Sequence, residues 1–259
     1  DSLNLASVSV GSGITTLSAT GSLGVRIFDG TDNTGRFLNG TSFGDTLSGA
    51  GGDDTFNIAG GSDTVTGGTG NDTVIITSNA DLEVADRNQF SGGDGTDKVF
   101  VSSTDVTSIG LSDESAFTTM ELIDLSGASS SGVTFSIKFA NQIDNAAGVT
   151  IKGTSGTNDT LVIRSDGFEL AGKTVFDNIE ALSLTKSTAA NIVFSSDTTF
   201  ENIATQFSIT GSSLGSGFHS VILTKNQLNA SSTSNVDFSK ISLAGSLSDA
   251  SVLSNVALN

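Results

Sequence analysis

Residues 40–75 divide without a gap into four nonapeptides, GTSFGDTLS, GAGGDDTFN, IAGGSDTVT and GGTGNDTVI. Position six of each is Asp (Asp45, Asp54, Asp63, Asp72), position seven is Thr, and position eight is apolar (Leu47, Phe56, Val65, Val74). The apolar spacing reaches back to Leu38, and a further copy, GGDGTDKVF, stands at 92–100 with Asp97 and Val99. The step from Asp72 to Asp97 is not a multiple of nine. This copy is therefore expected to open a new register after the interruption at 77–91, leaving Asp97 without a stacking partner in phase. A nine-residue unit with one large apolar residue cannot bury a core alone and must stack on its neighbours. Glycines supply the sharp turns, because Gly tolerates positive φ. The three residues around position eight make one short strand.

A second, longer repeat follows. Phe117-Thr-Thr-Met120-Glu121-Leu-Ile-Asp-Leu125-Ser aligns with Phe176-Asp-Asn-Ile179-Glu180-Ala-Leu-Ser-Leu184-Thr. The match continues at the same offset, without a gap, through Val133–Ser136 against Ile192–Ser195, and a partial third copy begins at Phe200-Glu-Asn-Ile203. Upstream of the two full copies stand the turn–strand segments Gly95-Thr-Asp97-Lys-Val-Phe-Val101 and Thr157-Asn-Asp159-Thr-Leu-Val-Ile163. Short alternating segments bounded by Gly, Ser, Asn and Asp read as strands, as do Leu5–Val10, Ile14–Leu17 and Leu23–Ile27. One- or two-turn helices are expected at 113–121, 139–145 and 199–206.

The expected fold is all-β: a parallel β-roll or β-solenoid with calcium-binding turns and a few short helices. It divides into solenoid rungs over 1–39, a roll over 40–100, and modules as long as the second repeat over 101–259, in one elongated unit. A solenoid accounts for an apolar content of only 36% in 259 residues, since each rung needs just a thin apolar stripe. The absence of Pro fits strands that are paired on both edges.

Composition narrows function. With no Cys there is no disulfide, no thiolate nucleophile and no Cys-held metal centre. A net charge of −17 argues against nucleic acid, whose affinity comes from Lys and Arg on phosphates. No apolar run approaches the roughly 18 residues of a membrane span, so no membrane insertion is expected. Asp1 opens the chain without a charged and apolar leader, so any targeting signal is expected to lie outside these residues.

The nonapeptide GGxGxDxUx, with U a large apolar residue, resembles that of the calcium-binding RTX proteins secreted by bacteria. The match is strict in 67–75 and 92–100, looser in 49–66 and poor in 40–48, which lacks the glycine pair. The resemblance implies that two nonapeptides form one coil, so that the turn of Asp45 stacks on that of Asp63 and the turn of Asp54 on that of Asp72. It implies Ca²⁺ between stacked turns, with Asp45, Asp54, Asp63, Asp72 and Asp97 as the metal residues. A hard cation takes six to eight oxygens there, and Mg²⁺, which keeps its waters, fits less well. An isolated Gly-Asn-Asp-Thr would read as an ordinary solvated turn; the fixed phase over four copies is what favours calcium. Asp53 and Asp94 fall off position six and read as solvated.

Together with the Phe-x-x-Ile/Met-Glu-x-x-x-Leu modules, the turns resemble bacterial surface-layer proteins exported by type I secretion. That implies an extracellular structural protein of the bacterial cell surface, self-associating into a lattice and anchored to surface polysaccharide or lipopolysaccharide. The same features suit a segment of a secreted adhesin, or the calcium-binding module of a secreted enzyme. The C-terminal segment 248–259 carries no clear secretion signal. No catalysis is expected. His219 is the only histidine and reads as structural; the acids Glu121, Asp124 and Glu180 are candidates for a carboxylate pair. Glu121 and Glu180 occupy equivalent repeat positions, which favours a structural task such as capping.

Overall fold

In the computed structural model, the described residues are 2–4, 13–18, 20, 22–30, 33–82, 86–112, 114–138, 140–143, 148–164, 167–170, 173–184, 191–194, 199–201, 207–211, 220–222 and 241–245. They form a parallel β-solenoid, as the repeats predict. A first sheet stacks Ser2–Asn4, Arg26–Phe28, Thr46–Gly51, Thr64–Thr69, Gln89–Asp94 and Ala116–Thr118 in that order. A second stacks Thr16–Ser18, Phe37–Asn39, Thr55–Asn57, Thr73–Ile76, Lys98–Val101, Leu122–Asp124, Val149–Lys152, Thr174–Asp177 and Thr199–Glu201. A third stacks Ser108–Gly110, Thr134–Ile137, Thr160–Ile163, Ala181–Leu184, Phe207–Gly211 and Ile241–Gly245. A fourth joins Gly167–Leu170, Asn191–Phe194 and Ser220–Ile222.

Parallel stacking in strict register turns each repeat position into a file of identical chemistry. Position eight becomes the core. In the second sheet Leu17, Leu38, Phe56, Val74, Val99, Ile123, Ile151 and Phe176 follow one another from coil to coil, and all are buried. In the first sheet Ile27, Leu47, Val65, Phe90 and Phe117 do the same. The rings of Phe90 and Phe117 stack 4.8 Å apart and nearly parallel, which matches the strand spacing of roughly 4.7–4.9 Å. Position seven, one residue earlier, faces outward and remains polar at Thr46, Thr55, Thr64 and Thr73.

The cross-section changes along the axis. From Arg26 to Val101 the coils alternate between the first and second sheets, a two-sided roll whose most regular coil runs from Thr55 to its pairing partner Thr73. The coils of the second sheet lengthen from the one that runs from Thr73 to Lys98, and from Ser108 onward a third side is inserted; later coils run from Leu122 to Thr150 and from Thr150 to Val175. The second sheet continues unbroken through both parts. The longer sequence repeat does not return to the same side. Phe117 lies in the first sheet and Phe176 in the second; Ile123 lies in the second and Leu182 in the third. The module thus spans two coils and one further side, and each copy is rotated by one face.

The short helices are largely corrected. Within 113–121, Ala116–Thr118 is a strand, because Phe117 fills the core file beside Phe90. Its spacing to Met120 reflects a corner, made by Thr119 at φ 50°, and not a helical turn. The 139–145 expectation is met by one 3₁₀ turn, Ala140–Gln142, which touches both Ala116–Thr118 and Gly167–Leu170. Thr199–Glu201 is a strand, and 202–206 lie outside the described residues, as do 5–10. No helix among the described residues is long and apolar enough to cross a membrane.

Candidate cation-binding turns

The two-sided roll has two edges. On one edge the chain passes from the second sheet to the first, through 40–45, 58–63 and 77–88. On the other it passes from the first sheet to the second, through 49–54, 67–72 and 92–97. Position six closes each turn, and its side chain is buried: Asp45, Asp54, Asp63, Asp72 and Asp97 are all at most 2% exposed. One oxygen of each has a fixed task. It accepts the backbone N–H at the equivalent point of the preceding coil.

On the first edge Val25 N–H donates to Asp45 Oδ1 (2.7 Å), Asp45 N–H to Asp63 Oδ1 (2.8 Å), Asp63 N–H to Asn88 Oδ1 (2.8 Å) and Asn88 N–H to Ser115 Oγ (3.0 Å). On the second edge Arg36 N–H donates to Asp54 Oδ1 (2.8 Å), Asp54 N–H to Asp72 Oδ1 (2.8 Å), Asp72 N–H to Asp97 Oδ1 (2.7 Å) and Asp97 N–H to Glu121 Oε2 (2.7 Å). A third such file starts on the later coils, with Val133 N–H to Asp159 Oδ1 (2.7 Å) and Asp159 N–H to Glu180 Oε2 (3.0 Å).

The expected stacks, Asp45 with Asp63 and Asp54 with Asp72, are therefore present. The expectation for Asp97 is corrected: it stacks directly on Asp72, and Thr73 pairs with Lys98. The extra length of that coil is absorbed around the 3₁₀ turn Asn79–Asp81 without loss of register. Asn88, Ser115, Glu121, Asp159 and Glu180 extend the files, although the nonapeptide pattern does not mark them as position six. Their signal is an acceptor two residues before a buried apolar strand residue, as in Asn88-Gln-Phe90 or Glu121-Leu-Ile123. Asp53 is exposed, yet its Oδ1 accepts Asn71 N–H (2.8 Å), and Asn71 Oδ1 accepts Thr96 N–H (2.9 Å). Asp94 is exposed, as expected of a solvated residue, and Asp124 lies half-buried on the outer face of the second sheet. His219 and 248–259 lie outside the described residues.

The second carboxylate oxygen separates two kinds of turn. In the closed kind, Thr near the turn's start satisfies it. Thr41 N–H donates to Asp45 Oδ2 (2.6 Å), Thr77 N–H to Asp81 Oδ2 (2.6 Å) and Thr154 N–H to Asp159 Oδ2 (2.6 Å), with each Thr hydroxyl also on its carboxylate. In the open kind, the Oδ2 atoms of Asp54, Asp63, Asp72 and Asp97 are buried with no hydrogen-bond partner. Position two of these turns is Ala50, Ala59, Gly68 and Gly93, each at positive φ (71°, 55°, 121° and 116°). Position one must be bare where the carboxylate folds back. A β-carbon on Gly67 would lie 2.2 Å from Asp72 Oδ2 and 2.5 Å from the Gly92 carbonyl oxygen.

A desolvated anionic oxygen with no donor is unfavourable, which favours the protonated form. Burial pushes Asp54 up to about 8, helped by the neighbouring charges of Asp72 and Asp29 and opposed by the N–H and charge of Arg36. Burial likewise pushes Asp63 up to about 8 and Asp72 up to about 6, and raises Asp97. The same points gather carbonyl oxygens. Asp54 Oδ2 and Gly67 O converge beside Gly49, Asp72 Oδ2 and Gly92 O beside Gly67, and Asp97 Oδ2 and Thr119 O beside Gly92. Among the described residues no three acidic, His or Cys side chains come together, so a cation here would draw most of its ligands from the backbone. Carbonyls plus one carboxylate per turn fit a hard, oxygen-seeking ion such as Ca²⁺.

Compared with known family models, curated proteins and solved structures, the chain matches none.

Proposed function

We propose that this protein is a structural component of a bacterial surface layer: a calcium-stabilised extracellular solenoid that assembles with copies of itself. The supporting observation is the run of consecutive turns in which the buried Oδ2 atoms of Asp54, Asp72 and Asp97 lack any donor. A divalent ion supplies the missing positive charge, so folding becomes coupled to metal binding. Such coupling suits an exported chain that stays unfolded at low cytoplasmic calcium. The net charge of −17 makes the metal-free protein self-repulsive, and bound cations lower that barrier to close packing between copies. A structural role also agrees with the use of Glu121 and Glu180, whose carboxylates hold the N–H groups of Asp97 and Asp159. Surface polysaccharide or lipopolysaccharide is the partner that would anchor such a layer.

Electron microscopy of the purified chain tests this reading. Ordered sheets or patches in calcium that dissolve in chelator are the expected result. Dispersed particles in both conditions, with a circular dichroism spectrum indifferent to chelation, would overturn it.

A further inference from the structure

We infer that cation binding is confined to one edge of the roll, with three ions, one each at Asp54, Asp72 and Asp97, and that the opposite edge takes up none. This rests on the calcium reading above and narrows it. The edge through 49–54, 67–72 and 92–97 has three open turns in succession. Each has a glycine at position one, Gly49, Gly67 and Gly92, and each brings an unpartnered Oδ2 together with a carbonyl of the next coil. The other edge lacks such a run. Asp45 and Asp81 are satisfied by Thr41 and by Thr77 with Ser78. Asp63 between them is open, but its neighbours in the file are the closed Asp45 and the neutral Asn88, and Ile58 stands at its position one in place of glycine.

The cation edge also has a defined end. Arg36 occupies position six below Asp54, and its guanidinium fills the preceding gap. Nη1 lies 2.5 Å from Asp29 Oδ2 and 3.3 Å from the Thr34 carbonyl, and Nε lies 3.1 Å from the Ile14 carbonyl. Both charged side chains are essentially inaccessible to water. One carboxylate and two carbonyls around a cation are the kind of oxygens that the open turns offer. Arg36 is in effect a tethered cation that begins the file, and Glu121 ends it by accepting the Asp97 N–H. Position two decides the chemistry of a turn: Thr with its N–H on the carboxylate closes it, and Ala or Gly at positive φ leaves it open.

Equilibrium dialysis of the full chain against calcium tests the assignment, with circular dichroism at saturating calcium as the check on folding. The wild-type chain is expected to take up three ions in its tight class. Asp54→Asn, Asp72→Asn and Asp97→Asn should each bind one fewer, while Asp45→Asn and Asp63→Asn should still bind three. Loss of an ion from Asp45→Asn or Asp63→Asn overturns the one-sided assignment and leaves the calcium reading standing. No calcium uptake by the wild-type chain overturns the calcium reading itself. Hydrogen exchange on the wild-type chain covers variants that fail to fold. In chelator, amides of 67–72 and 92–97 should lose protection at least tenfold relative to those of 40–45. Equal loss on both edges would also sink the assignment.

Discussion

Removing the cations should leave a protein whose stability falls as pH rises, the reverse of ordinary acid denaturation. Asp54 and Asp63 sit near 8 and Asp72 near 6 in the metal-free fold, against 3.8 for an unperturbed carboxyl. The fold therefore holds protons that the unfolded chain has released. That stability is fully present below about pH 4 and is lost as pH rises through 6 and then 8. Around pH 6.5 the fold carries about two extra protons, on Asp54 and Asp63 with a minor share on Asp72. Each proton tilts stability by about 1.4 kcal/mol per pH unit, so the slope is on the order of 2–3 kcal/mol per unit. Calcium competes with the proton at Asp54, so its binding at pH 6.5 should release about one proton per chain, plus the fractions held on Asp72 and Asp97. Calorimetric titration of calcium in buffers of different ionisation enthalpy reads that number directly. Thermal melts in chelator from pH 5 to 8 read the slope. Calcium binding without proton release at pH 6.5, or a metal-free melting temperature that climbs from pH 5 to 8, would refute the buried-carboxylate account.

Arg36→Met should cost about 3–5 kcal/mol, because it leaves the Asp29 carboxylate buried without its partner; denaturant melts check this. Gly67→Ala should destabilise the roll sharply, since its β-carbon would collide with Asp72 Oδ2 and the Gly92 carbonyl, whereas Gly13→Ala, with nothing within 4 Å, should stay within about 0.5 kcal/mol of wild type by the same melts. Thr154→Val removes the hydroxyl bond to Asp159 (2.9 Å) and keeps the N–H bond. It should cost about 1.5–3 kcal/mol, and the same amount in calcium and in chelator, because that turn is closed without metal.

The fold is legible in the sequence where one residue does one job in every coil. Phe56, Val74 and Val99 announce a core file by spacing alone, and Asp54 and Asp72 announce a turn file nine residues out of step with Asp45 and Asp63. What spacing cannot convey is how much chain a coil absorbs between two strands. Counting places Asp97 out of register, yet strand pairing between Thr73 and Lys98 tolerates any excursion that returns to the same edge. The longer repeat is visible too, but its rotation by one face is not. The coils from Lys98 to Leu122 and from Leu122 to Thr150 differ in length and do not divide that period evenly. Phe117 and Met120 read as helical because three-residue spacing also describes a strand residue followed by a corner. The difference between Thr41 and Ala50 is hidden for another reason. Both fill position two, and the sequence does not display the positive φ at Ala50 that goes with an unsatisfied carboxylate.

The acceptor file explains why the chain uses Asp so heavily and why it need not always do so. Among the described residues, successive coils present an N–H at the end of the turn, and an acceptor on the next coil satisfies it: Asn88, Ser115 and Glu121 serve as well as Asp. Backbone pairing alone therefore does not require a carboxylate. Asn88 and Ser115 hold the stack with no anion at all. Asp at an open turn does the same work and adds an unsatisfied negative oxygen, a cost with no return in a metal-free scaffold. Evenly placed on one edge and bounded by the buried guanidinium of Arg36, that repeated cost argues for a partner that brings positive charge. Closed turns at Asp45, Asp81 and Asp159 hold their carboxylates on the chain's own donors and need no such partner.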